Sequence, residues 1–139
     1  MNRLVRFAFL AALLAALSAN ASNEAEIAKA KEAAQAWLAL TDAGNGGESW
    51  RTAASAFRAA VPQDKWEQSL AAARGPLGAL KNRTVSSAKY SRTMPGAPDG
   101  EYVVLQYSSQ FANKASAVET ITPMRDKDGS WKVSGYYVK

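Results

Sequence analysis

The 139-residue chain has no cysteine and no histidine. Without cysteine there is no disulfide and no thiolate nucleophile, so the protein must fold by packing alone. Without histidine the usual proton carrier near neutral pH is missing, and the common zinc ligands and His-dependent triads go with it. Glycine-rich phosphate loops are lacking too. "GNGG" at positions 44–47 is the one dense glycine run. It has neither the preceding strand nor the following lysine of a phosphate loop, and reads as a turn between helices. No cofactor is expected.

Long apolar runs are also scarce. "MNRLVR" gives a positive start, Phe7 to Leu17 a short apolar segment, and Ala19-Asn20-Ala21 a small-x-small cleavage site. Phe7 to Leu17 falls well short of the roughly 20 apolar residues that span a bilayer, and the pattern is that of a secretory signal peptide. Residues 1–21 are therefore expected to be removed. The mature chain, 22–139, is expected to be a single α+β domain in the periplasm or secreted, with no lasting membrane insertion.

Charge of one sign is not concentrated anywhere. The chain carries seventeen Lys and Arg, of which Arg3 and Arg6 lie in the leader, so fifteen face twelve Asp and Glu in the mature part. These bases are scattered among acids rather than gathered into a stripe, which argues against a nucleic-acid partner.

What is present divides into two halves. From Ser22 to about Leu80 the apolar period is helical. Ser22 or Asn23 can cap a helix with Ile27, Ala30, Ala34, Trp37, Leu38 and Thr41 on one stripe, ended by "DAGNGG". A second helix follows with Trp50, Ala53, Ala54, Phe57, Ala60 and Val61 on one side. Pro62 opens a third, carrying Trp66, Leu70, Ala73 and Leu77, which should bend or end at Gly75-Pro76. From Arg83 the period becomes two. Strands are predicted at about 83–93, 101–111, 116–125 and 130–138, joined as an antiparallel meander because the connections are too short for parallel crossovers. The expectation is an α+β fold with three helices on one face of a curved four-stranded sheet.

The stretches "WLALTDAGNGGESW", "RGPLGAL" and "PDGEYVVLQYSSQFANKASAVETITPMRDKDGSWKVSGYYVK" resemble domain-of-unknown-function family 4019, exported bacterial proteins of this size. The resemblance implies a cone-shaped fold of the nuclear-transport-factor-2-like or cystatin-like kind, in which helices and a bent sheet enclose a cavity. It supplies no catalytic residue, and such folds serve enzymes and binding proteins alike.

Glu119 stands out, a carboxylate in a half-buried strand. "DKDG" matches a three-residue hairpin that sets Asp126 against Ser130, which would place Ile121 opposite Gly135 and Glu119 opposite Tyr137, facing the helices with Trp131 and Val133. The preceding hairpin at "ANKA" agrees only if its turn is odd or bulged. An inward carboxylate needs a cation, and Arg74, at the margin of the third helix's apolar face, is the expected partner. The candidate ligand-binding set is Glu119, Arg74, Tyr107, Tyr137 and Trp50, with no catalytic residue and no metal ligand assigned. A binding or protein-interaction module for a small molecule or a periplasmic protein leads. An acid-base enzyme of isomerase or hydrolase type, using Glu119 in the cavity, is the alternative.

Overall fold

A computed structural model describes the backbone of residues 2–139 and the side chains of residues 22–139. The side chains of residues 1–21, the segment expected to be a signal peptide, lie outside the described residues. Helix α1 is Asn2–Asp42, followed by α2 (Gly46–Arg51), α3 (Ser55–Ala60), α4 (Gln63–Arg74) and a 3-10 turn, Gly75–Leu77. The strands are β1 (Leu80–Ser91), β2 (Tyr102–Phe111), β3 (Lys114–Arg125) and β4 (Trp131–Val138), paired antiparallel in sequence order. This is the α+β arrangement the change of period predicts. Among the described residues, no helix is long and apolar enough to cross a membrane.

The helices differ from expectation in three ways. First, α1 does not start at a Ser22 or Asn23 cap but runs continuously through it. Second, the predicted second helix is two. Ala54 takes extended dihedrals and its N–H donates 2.8 Å to the Val133 carbonyl on the free edge of β4. That bond satisfies a sheet-edge acceptor, and with Ala53 and Ala54 fully buried it outweighs the helix propensity of an alanine-rich run. Third, the helices do not all lie on the sheet: α1 crosses all four strands, α3 meets β4, and α4 packs on α2.

The ends of these elements follow sequence chemistry closely. Helix α1 closes in a Schellman motif, with Gly44 at φ +73, its N–H bonded to Thr41 O, and the Asn45 N–H bonded to Leu40 O. Helix α3 begins at Ala54, which has no side chain to cap it. The cap comes instead from the β3–β4 hairpin, where Asp126 accepts from Ser55 N at 2.9 Å and Ser55 Oγ at 2.6 Å.

The predicted stripe of α1 is the core. Ala30, Ala34, Trp37 and Leu38 are buried against Val103, Leu105, Tyr107 and Ile121, and Trp66 and Leu70 join them from α4. The Trp37 ring lies 5.7 Å from Trp66 and 5.4 Å from Tyr136, and Phe57 stands edge-on to Trp66 at 5.1 Å. Buried Ser49 satisfies both indoles: Trp37 Nε1 donates to its carbonyl and Trp66 Nε1 to its hydroxyl. The space between α1 and the sheet is thus filled by side chains, and the open clefts lie at its rim.

Candidate functional site

The position of Glu119 is set by two hairpins and a bulge in each. Asp126 N donates to Ser130 O and Gly129 has φ +84, the three-residue turn that "DKDG" predicts. At the other end, Phe111 pairs with Lys114 across a two-residue turn, then the register shifts so that Ser109 faces Ala117 and Tyr107 faces Glu119. The bulge demanded by parity is therefore present, and Glu119 points inward with 0% exposure.

The expected partner of Glu119 within β4 needs correction. Pro123 pairs with Val133 but Ile121 with Tyr136, so one extra residue is accommodated around Ser134 and Gly135. A bulge inverts the facing of everything beyond it. Tyr136 and not Tyr137 turns inward, Glu119 faces Val138, and Tyr137 is 54% exposed on the outer face.

The cation is also different. Arg83, inward on β1 beside Ser109, donates Nε to Glu119 Oε1 at 2.6 Å and Nη2 to Oε2 at 3.1 Å. Ser109 Oγ donates to Oε1 at 2.6 Å and the Tyr136 hydroxyl to Oε2. Arg74 does not reach Glu119. Its Nη2 bonds Asp42 Oδ1 at 2.8 Å, its Nη1 bonds Thr41 Oγ1, and its guanidinium lies 4.7 Å from the centre of the Phe111 ring. Asp42 in turn takes a bidentate pair from Arg83, at 2.8 and 2.9 Å. The result is one chain of alternating charge, Arg74, Asp42, Arg83, Glu119, closed by Tyr136.

Asp42 is the residue that makes this chain necessary. It occupies the last turn of α1, where the helix dipole disfavours a carboxylate by a few tenths to about 1 kcal/mol. Two arginines more than offset that. Burial pushes the Asp42 carboxyl up, but hydrogen bonds from Arg83 and Arg74 bring it below its ordinary value. Glu119 behaves alike: burial raises it, and hydrogen bonds from Arg83, Ser109 and Tyr136 prevail and hold it low. Burial first, and then the neighbouring Glu119 charge, push the Tyr136 hydroxyl up. At neutral pH the network is charged, paired and protonated in one way only. A carboxylate held low and closed to solvent is unsuited to take up a proton as a general base.

The candidate residues are thus divided among different surroundings. Glu119 lies inside the network. Arg74 lines a cleft of about 720 Å³ together with Asp42, the α1–α2 turn, Arg51, Glu67 and Ala71. Tyr107, buried, lines a second cleft of about 460 Å³ between α1 and β1. Trp50 packs against the core and donates 2.7 Å to the Val61 carbonyl, which ties α2 to the end of α3. Sequence reasoning missed Asp42, Arg83, Ser109 and Tyr136. Arg83 alternates with Val85 at strand period and could have been placed inward from that pattern, and Gly135 inside a strand was the available sign of the bulge. Among the described residues no cluster of acidic side chains could hold a metal ion.

Comparison with known proteins agrees with the sequence resemblance. Residues 33–136 match DUF4019, a family described as protein of unknown function, and the chain belongs to that family. No curated protein and no solved structure matched the chain.

Proposed function

We propose that this chain is an exported binding module that holds a small polar molecule in the cleft beside Arg74. The observation that carries this reading is the state of Arg74 itself. Its side chain is 9% exposed and lines the cleft, and its Nε–H has no acceptor among the described residues. An unmatched buried donor costs about 1–3 kcal/mol; Nε–H is closed to solvent, so a ligand that turns the Arg74 side chain toward the cleft and accepts from it recovers that cost. Arg51 and Arg74 line the cleft together with Asp42 and Glu67, a balance that suits a neutral or zwitterionic molecule rather than a polyanion. The cleft also has the size of ordinary small-molecule sites.

The enzyme reading required an available carboxylate, and Glu119 is saturated by four donors. Export rests on the leader pattern of residues 1–21, with removal after Ala21, and intact mass of the secreted or periplasmic protein starting at Ser22 is the check. The cleft is tested by native mass spectrometry of the purified protein and of Ala71→Trp, which projects an indole into the cleft from an exposed helical position. A small molecule retained by the natural protein and lost from Ala71→Trp and Arg74→Met supports the reading. Equal retention by all three would refute the assignment of the site.

A further inference from the structure

We propose that the second cleft, between α1 and the edge strand β1, is a separate site for an amphipathic carboxylate, with the carboxylate at Lys31 and Lys81 and the apolar chain along Leu38, Leu80 and Val85. Lys31, Gln35 and Leu38 follow one another at helical spacing on the face of α1 that borders this cleft. The opposite wall is the first half of β1, which is the outermost strand of the sheet.

Two features of that wall ask for a ligand of mixed character. Val85 pairs with buried Tyr107 and so belongs to the helix-facing side of the sheet, yet it is 39% exposed because α1 leaves the edge uncovered. An apolar strip remains open next to the core. Beside it the charge is of one sign. Lys31, Lys81 and Arg83 line the cleft and no acidic residue does. Arg83 is already neutralised by Asp42 and Glu119, whereas Lys31 and Lys81 form no ion pair among the described residues. Two unmatched ammonium groups bordering an apolar trough select an anion with a hydrocarbon body, since the chain gains burial and the head gains charge.

An extended peptide added to the β1 edge fits less well. The β1 register is interrupted between Leu80 and Asn82 and again between Val85 and Ser87, and Lys81 and Lys89 stand along the strand. Bulges and lysines are the features that discourage strand addition at an edge. The cleft, at about 460 Å³, accommodates a short-chain molecule instead.

The probe is octanoate, with octanol and octylamine as the neutral and cationic counterparts, followed by calorimetry and by amide chemical shifts. Octanoate should saturate and shift amides of Lys31, Leu38 and Leu80 to Val85, octanol should bind more weakly, and octylamine should not compete. Lys31→Gln with Lys81→Gln should weaken octanoate by about tenfold or more and make its binding insensitive to salt. Val85→Glu, a single change at an exposed edge position, should weaken octanoate comparably and serves if the double variant misfolds. Octylamine binding as well as octanoate, unchanged affinity in both variants, or no saturation below about 1 mM would overturn the proposal. Binding to anionic lipid vesicles with none to octanoate would overturn it too, in favour of a membrane-facing surface.

Discussion

Replacing Arg83 with methionine isolates the cost of stranding Glu119. Arg83 makes four charge-assisted hydrogen bonds, two to Asp42 and two to Glu119. The loss at Asp42 is recoverable: that carboxylate is 24% exposed and still receives Arg74 at 2.8 Å. The loss at Glu119 is not, because no part of its side chain reaches water. Removing one partner of a buried ion pair costs about 3–5 kcal/mol, and since Ser109 and Tyr136 still donate, Arg83→Met should lie near the lower end, about 3 kcal/mol. Urea denaturation at unchanged m-value measures it. Glu119→Gln in the Arg83→Met background should restore part of the loss, and Glu119→Gln with Arg74→Met should be close to additive, because Arg74 makes no hydrogen bond to Glu119 and is linked to it only through intervening side chains. The pH dependence has a definite sign. In the natural protein Glu119 is held below its ordinary 4.5, so its contribution is fully present above that value and fades as pH falls through the lower folded one. In Arg83→Met, burial without the guanidinium pushes the carboxyl up, so the deficit is greatest near neutrality and narrows on acidification. A loss below about 1 kcal/mol, or strict additivity between Arg83→Met and Glu119→Gln, would refute the reasoning.

Four further substitutions have expected outcomes. Trp66→Ala should destabilise by about 3–5 kcal/mol in thermal or chemical denaturation, since Trp66 is buried among Trp37, Phe57 and Ser49. Asp126→Ala removes the acceptor that caps α3 and should cost about 1–2 kcal/mol. The Ser55 hydroxyl chiefly holds Asp126 at about 2 against an ordinary 3.8, so the charge-dependent part of the difference between natural protein and variant should be fully present above 3.8 and fade as pH falls through about 2. Tyr136→Phe removes a donor to a buried carboxylate and should cost about 1.5–3 kcal/mol. Tyr137→Phe, one residue on and exposed, should stay within about 0.5 kcal/mol in the same denaturation series.

Those adjacent tyrosines show where legibility in the sequence ended. The Schellman stop of α1, the burial of Ala30, Ala34, Trp37 and Leu38, the "DKDG" turn and the inward direction of Glu119 all follow from period and turn chemistry, which are local. The bulge at Ser134–Gly135 is not local, because glycine permits it without requiring it. Reading through that bulge at constant period turned Tyr137 inward and hid Tyr136. Arg83 and Asp42 were missed for a related reason. Asp42 read as part of a helix stop and Arg83 as a surface base, and only the approach of the end of α1 to β1 brings them together. Arg74 was given the wrong carboxylate because helix spacing shows which side of α4 it occupies, not how far that side stands from the sheet. The break at Thr52–Ala54 was invisible for the same reason, its cause being a carbonyl on β4.

The donors to Glu119 come from every other strand: Arg83 from β1, Ser109 from β2 and Tyr136 from β4, with Asp42 and Arg74 extending the chain of charge to α1 and α4. A buried ion pair contributes little net stability beyond what apolar side chains of similar volume would, so stability alone is a weak reason for one at the centre of a sheet. Register is a better reason. Each of the three pairings between strands contains a bulge or shift, so the apolar alternation is interrupted in every pair and does not by itself carry one register through the sheet. A slip of one residue in any strand would carry a donor to the outer face and leave a charge without its partner at a depth water does not reach. Glu119 therefore acts as the reference point against which four irregular strands are aligned. That role explains why it is saturated with donors, and why neither cleft is lined by Glu119: one opens beside Arg74 and Asp42, the other beside Arg83.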